Sequence, residues 1–166
     1  ADGTELWSAS APSLRTFANA HLAAGDLLDE HLGPEIVIVT DNHEVVCLSA
    51  AGDELWRTDP GENLARAAPA LHDMDGDGNP EVIVGRVILS SSGDVLGIGA
   101  HGSGANQDRG RMSFAVDLDD DGQLEVVVGN ASYSMDGTAE WFNGLEDGFP
   151  GVADFDLDGD PEVVVV

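Results

Sequence analysis

Three short segments of the 166-residue chain carry carboxylates at one fixed spacing: DMDGDGNPE from Asp73 to Glu81, DLDDDGQLE from Asp117 to Glu125, and DFDLDGDPE from Asp154 to Glu162. Each copy places acids at positions 1, 3, 5 and 9 and glycine at position 6, with an apolar run immediately after. This spacing concentrates hard oxygen donors, and the chemistry it suits is the holding of a hard cation. Side chains at positions 1, 3 and 5 can converge on one point, while a backbone carbonyl at 7 and a carboxylate at 9 complete about six or seven oxygens. The expected ligands of the first loop are Asp73, Asp75, Asp77, the Asn79 carbonyl and Glu81; those of the second are Asp117, Asp119, Asp121, the Gln123 carbonyl and Glu125. The third set is Asp154, Asp156, Asp158, the Asp160 carbonyl and Glu162. Four carboxylates from one short loop favour Ca²⁺ over Mg²⁺, which demands stricter octahedral geometry and keeps its water. Gly78, Gly122 and Gly159 stand where the loop must turn sharply, a conformation least costly for glycine.

An EF-hand also begins DxDxDG, but it needs a bidentate glutamate at position 12 and a helix on each side. Position 12 is Val84, Val128 and Val165, each inside a β-type run, so the spacing excludes that site. A fourth, degenerate copy precedes Glu35. Counting back from it, position 3 is Asp29, but position 5 is His31 and position 1 is Leu27, and Asp26 fits only with an insertion. Histidine is a poor calcium ligand, so a fourth ion at Asp26, Asp29 and Glu35 is not expected and the loop is read as a turn alone.

The elements that must position these loops repeat with them. Glu35, Glu81, Glu125 and Glu162 are spaced by 46, 44 and 37 residues, a period typical of propeller blades. Each glutamate opens a short apolar strand: EIVIVT, EVIVG, EVVVGN and EVVVV. Small-residue segments such as AAPALHD, MSFAVD and PGVAD come before the loops and suit a crowded inner strand. A third strand such as EVVCLSA then leads through a glycine turn to an outer strand ending at Trp7, Trp56 or Trp141. The SGDVLGIG stretch from Ser92 to Gly99 keeps the turn but has Leu96 and Gly97 in place of the aromatic position, and a looser edge is expected there. The predicted architecture is all-β, a propeller of about four blades or part of a larger one, with a calcium loop between the first and second strands of each blade. The units run approximately over 11–57, 58–99 and 100–142, with 143–166 completed by 1–10. Helical signal is confined to turns around Ser13 to Ala24 and Glu62 to Ala67. The chain starts on a fourth-strand motif and stops inside a second strand, as expected of a segment excised from a larger ring with flanking blades.

Composition agrees with a cation-binding repeat protein. Acids number 32 against 6 basic residues, a formal charge of -26, which argues against nucleic acid or anionic membrane surfaces as partners. Three divalent ions would bring this only to about -20, so the metal-free chain is expected to repel itself. All the basic residues are arginine, which excludes lysine Schiff-base and lysine general-base chemistry. Cys47 sits in the apolar run EVVCL and reads as an inert buried thiol, and no stretch is long enough to insert in a bilayer as a helix. Asn130-Ala131-Ser132 matches a glycosylation sequon, on which no weight is placed.

The DxDxDGxxE loops followed by EVVVG strands, at this period, resemble the FG-GAP or VCBS repeats of integrin alpha-subunit propellers and many bacterial extracellular proteins, over nearly the whole chain. The resemblance implies a β-propeller whose calcium loops stiffen each blade, with the loop residues named above as ligands. It also implies an extracellular or cell-surface setting, where calcium is plentiful. The expected role is a non-catalytic binding, cell-adhesion or structural module whose loop face meets a protein or glycan. The enzymatic alternative is a polysaccharide lyase acting on acidic glycans, since related propellers include such enzymes. For that chemistry only His43, His101, Arg109 and Arg111 offer a base and a charge-neutralising group, and singly placed loop histidines are more often surface residues.

Overall fold

The computed structural model describes residues 2–9 and 11–166. Ala1 and Ser10, which bound the segment expected to complete the last unit, lie outside the described residues. The described chain is all-β and folds as a succession of antiparallel sheets in which strands follow sequence order. The first sheet comprises β1 (Leu22–Gly25), β2 (Glu35–Val39), β3 (Val45–Leu48) and β4 (Glu54–Thr58). After a two-residue strand β5 (Ala67–Ala68), the second sheet comprises β6 (Ala70–His72), β7 (Glu81–Val84), β8 (Val87–Leu89) and β9 (Val95–Ile98). A second two-residue strand, β10 (Arg111–Met112), pairs in parallel with β5. The third sheet comprises β11 (Phe114–Val116), β12 (Glu125–Val127), β13 (Ala131–Tyr133) and β14 (Ala139–Phe142), and the fourth holds β15 (Pro150–Ala153) and β16 (Glu162–Val165).

Apolar alternation within the second sheet explains how the sheets pack. Val82 and Val84 of β7, with Val87 and Leu89 of β8, join Val37, Val39, Val45 and Cys47 of the first sheet in one buried cluster. The intervening Ile83 and Ile88 point to the other side, onto Val126, Val128, Ala131 and Tyr133 of the third sheet. A period of two thus buries both faces of the second sheet between its neighbours. Their first strands also adjoin, β1 against β6 and β6 against β11. Cys47 is fully buried and its thiol is pushed up to about 12, by burial first and by the nearby Glu35 charge second.

Three local expectations change. Leu22–Gly25 overlaps the end of the Ser13 to Ala24 stretch read as a helical turn, yet it forms β1 because Leu22, Ala23, Ala24 and Gly25 pair with Ile38, Val37, Ile36 and Glu35. Only Pro12–Leu14 makes a 3₁₀ turn in that stretch. Gly97 does not mark a loose edge: a Cβ placed there would lie 2.3 Å from the backbone of Asp136 and Gly137 in the third sheet. Residues 2–9, read as an outer strand, have no strand pairing, although Trp7 still reaches the first sheet through its indole N–H to the Ala50 carbonyl at 2.9 Å.

Candidate metal centres

The loops that join first to second strands in the second, third and fourth sheets share one construction. Each begins just after the last residue of its inner strand, and that residue pairs with the loop glutamate: His72 with Glu81, Val116 with Glu125, Ala153 with Glu162. The glutamate then folds back, and its Oε2 accepts the backbone N–H of loop position 2: Met74 at 2.9 Å, Leu118 at 2.8 Å and Phe155 at 2.8 Å. The position-1 aspartate curls the middle of the loop around itself. Asp73 Oδ1 and Oδ2 accept the N–H groups of Gly76 and Gly78, and Asp154 does the same with Leu157 and Gly159. Aspartates at 3 and 5 each accept the N–H two residues ahead, as Asp75 does from Asp77 and Asp77 from Asn79.

This winding brings carboxylate oxygens from positions 1, 3 and 9 within 4.8 Å of one another in Asp73–Asp75–Glu81, Asp117–Asp119–Glu125 and Asp154–Asp156–Glu162. Asp77, Asp121 and Asp158 at position 5 are not among those grouped carboxylates, and each accepts the backbone N–H of position 7, Asn79, Gln123 and Asp160. Asp117 Oδ1 is buried without a hydrogen-bond partner among the described residues, as is Glu35 Oε1 in the first sheet. The donor set, all carboxylate, fits a hard divalent cation of the calcium type. When bound, such an ion would neutralise charges that otherwise repel across each loop.

The backbone adds a feature that the spacing hid. Besides the positive φ of Gly78, Gly122 and Gly159, position 4 is left-handed in every loop, at Gly76 (76°), Asp120 (60°) and Leu157 (65°). Leucine in that region is uncommon and strained, so the loop imposes the conformation on Leu157. Gly76 was the one sequence signal of it.

The first sheet shows what its degenerate loop became. Gly25 pairs with Glu35, and Glu35 Oε2 accepts the Leu27 N–H at 2.8 Å and the Leu28 N–H at 3.2 Å. That register makes Asp26 the topological position 1 of a loop with one inserted residue. Among the described residues Asp26, Asp29 and Glu35 do not form a converging carboxylate group.

Burial pushes the Glu81 and Glu125 carboxyls up, against the Met74 and Leu118 N–H groups that pull them down, and loop aspartates push them further. A carboxyl raised in the folded chain contributes stability that is full at low pH and is lost as pH rises through its folded value. His72 acts oppositely: burial lowers it, so the unfolded chain takes up the proton first as pH falls below about 6.5. In chelator, the metal-free protein is expected to melt at a higher temperature near pH 5 than near pH 7, and the His72→Gln variant to show the larger rise. Circular-dichroism melts at the two pH values check this. With saturating Ca²⁺ the order should invert, because protons then compete with the ion.

The opposite end of the sheets carries the other charge. Antiparallel order sends the second-to-third and fourth-to-first connections there, and with them Arg15, Arg66, Arg86, Arg109, Arg111 and the end of β4 with Arg57. Much of this charge is neutralised locally. Arg57 pairs with Glu44 at 2.6 Å and Glu54 at 2.7 Å, and Arg86 with Glu62 at 2.8 Å. The Arg111 guanidinium donates to the Ala65 carbonyl at 3.1 Å. His43 accepts the Leu64 N–H through Nδ1, and the His101 ring stacks on Phe142 with centroids 3.7 Å apart. Arg109 is exposed. Sequence reasoning missed Asp147, whose carboxylate accepts the N–H groups of Ser103 (2.7 Å), Ala105 (2.9 Å) and Gly104 (3.2 Å), tying two connections together. Asn130 of the sequon is buried and bonded to Gly102 and Leu145, a structural task that leaves its amide engaged.

No protein-family model matches the chain, and no curated protein matches it. Among solved structures it is similar to the V. cholerae biofilm matrix protein Bap1, with a TM-score of 0.79 and 30% sequence identity over 99% of this chain. The match takes in 26% of that chain, so the present chain spans about a quarter of its length. No helix among the described residues is long and apolar enough to cross a membrane.

Proposed function

We propose that this chain is a calcium-stabilised extracellular module, non-catalytic and built as part of a β-propeller of FG-GAP or VCBS type, that serves adhesion or matrix structure. The observation that carries it is the recurrence of one carboxylate triad, at one place in the sheet, in Asp73–Asp75–Glu81, Asp117–Asp119–Glu125 and Asp154–Asp156–Glu162. Consecutive four-stranded meanders packed face to face, with β1, β6 and β11 side by side, support blades arranged about an axis. The likeness to a protein described as a biofilm matrix component supports the extracellular setting and a role in holding material together. A protein or glycan would be met by the loops at the arginine-bearing end, away from the metal loops. The work of calcium in the metal loops is to join strand to strand, so that binding energy becomes folding energy.

The lyase alternative needs a base and a charge-neutralising group free at one site. His43 and His101 are engaged as described, which favours the non-catalytic role. Isothermal titration of chelator-stripped protein is expected to show three Ca²⁺ sites and far weaker Mg²⁺ binding, and incubation with a polyuronate to give no unsaturated product. Fewer than two calcium sites, or accumulation of the unsaturated product, would sink the proposal.

A further inference from the structure

One residue joins the metal loops of the second and third sheets. Met74, at position 2 of its loop, donates its N–H to Glu81 Oε2 at 2.9 Å, and its carbonyl accepts the Leu124 N–H at 3.1 Å. Glu81 belongs to the triad with Asp73 and Asp75, and Leu124 stands at position 8 of the loop that carries Asp117, Asp119 and Glu125. The Met74 side chain is buried between the two sheets, in one cluster with Ile83 and Ile88 of the second and Ala115 and Val126 of the third, and Leu124 packs against it. Both loops border one crevice of about 50 Å³, lined by Asp75 from the first and Asp121, Gln123 and Glu125 from the second.

Peptide planarity gives the Leu124 bond its significance. The Leu124 N–H and the Gln123 carbonyl belong to one trans peptide and point in opposite directions, so a bond that fixes the first fixes the second. The Gln123 carbonyl is the oxygen that the loop spacing places at position 7 of the cation shell. The Met74 carbonyl in turn shares its peptide plane with the N–H of Asp75, a member of the other triad. The remaining loops lack this link. Position 8 is Pro80 in the Asp73 loop and Pro161 in the Asp154 loop, and proline has no N–H to donate. Among the described residues no backbone hydrogen bond joins the 117–125 loop to the 154–162 loop, or the 26–35 loop to the 73–81 loop.

We propose that the Asp73 and Asp117 loops bind their cations cooperatively, coupled by the bond from the Leu124 N–H to the Met74 carbonyl, and that the Asp154 loop binds independently of both. This coupling rests on the calcium reading and adds to it a linkage between two of its sites. Closure of the Asp73 loop fixes Asp75 and Glu81, and Met74 is fixed with them. The Leu124 N–H then meets an acceptor already in place, and the Gln123 carbonyl is oriented before its own loop fills, so less ordering remains to oppose binding there. A backbone hydrogen bond has a net worth of about two- to tenfold in an equilibrium. Linkage requires the same factor in both directions. Charge acts with the opposite sign, since a cation in one loop weakens the attraction of its neighbourhood for the next. Salt at about 0.5 M screens that repulsion and leaves the hydrogen bond.

The probe is Ca²⁺ alone, added to intact, chelator-stripped protein in about 0.5 M KCl. Hydrogen exchange read by mass spectrometry follows residues 73–81, 117–125 and 154–162 separately and gives each loop its own half-saturation concentration. Asp73→Asn is expected to raise that of 117–125 by roughly two- to tenfold and to leave that of 154–162 unchanged. Asp117→Asn is expected to raise that of 73–81 by the same factor. Leu124→Pro, which installs the residue found at this position in the other two loops, should abolish both effects while all three loops still gain protection. Leu124→Ala keeps the N–H and should retain them. If Asp73→Asn leaves 117–125 unmoved or tightens it, if it shifts 154–162 equally, or if Leu124→Pro leaves the effects intact, the coupling is overturned while the calcium reading stands. If no loop gains protection with Ca²⁺, the calcium reading itself fails and the coupling falls with it.

Discussion

Stripping Ca²⁺ with a chelator is expected to lower the melting temperature by roughly 16–32 °C. An ion that binds only the folded chain stabilises it by about 2.7 kcal/mol when present at about one hundred times its dissociation constant, and three such sites give about 8 kcal/mol. For a domain of this size each kcal/mol moves the midpoint by about 2–4 °C. The effect is large because the ion-free state is poor. Three carboxylates crowd within 4.8 Å in each triad, Glu81 and Glu125 are buried, and the chain carries -26 overall. Removing sites singly tests the partition. Asp73→Asn and Asp117→Asn should each take away about a third of the calcium-dependent shift, whereas Asp154→Asn should take less, because Glu162 of the third triad is only half-buried where Glu81 and Glu125 are buried. Differential scanning calorimetry with and without chelator reads all of these. A midpoint that does not move would mean that the triads are solvated acidic turns.

What was legible in the sequence is what short-range spacing controls. The loop glutamates mark the starts of β2, β7, β12 and β16, and the glycine turns mark the hairpins between third and fourth strands. Positions 1, 3 and 9 of the three loops converge, while the position-5 aspartates bond the N–H of position 7. What was not legible depends on partners distant in sequence. Leu22–Gly25 has the small-residue composition of a helix and becomes β1 because the EIVIV strand offers a ladder, tertiary pairing overriding local propensity. Residues 4–8 have the pattern of a strand and lack a partner to pair with. The one-residue insertion before Glu35 is visible only through the Gly25 pairing and the Leu27 N–H that the glutamate accepts. The left-handed Asp120 and Leu157 follow from closing the loop around its aspartate, which no propensity announces.

Gly97 is where the repeat pattern and the packing disagree most, and Gly97→Ala is expected to cost about 3 kcal/mol. By register Gly97 faces Ile88 as Trp56 faces Cys47 and Trp141 faces Ser132, so the repeat calls for tryptophan there. The next sheet comes too close for any side chain. A Cβ at Gly97 would sit 2.3 Å from the Asp136 carbonyl carbon and 2.3 Å from the Gly137 nitrogen, and both are backbone atoms. The Ser134–Thr138 turn they belong to is pinned by its own bonds, Ser134 N–H to Thr138, Gly137 N–H to Ser134 and Thr138 N–H to the Asp136 carboxylate at 2.8 Å. To admit a methyl group the second and third sheets must part, loosening Ile83 and Ile88 from Val126, Val128 and Tyr133. Overpacking of this kind costs about 1–3 kcal/mol where side chains can yield, and rigid backbone on one side puts Gly97 at the upper end. The expected loss in melting temperature is roughly 6–12 °C, measured in saturating Ca²⁺ so that metal occupancy does not contribute. Gly151→Ala is the matched control, since a Cβ there meets nothing within 4 Å. If the two variants melt together, the close approach of the second and third sheets at this turn is wrong. If Gly97→Ala alone is destabilised, the missing tryptophan marks a tighter junction between sheets, with backbone in the place of the ring.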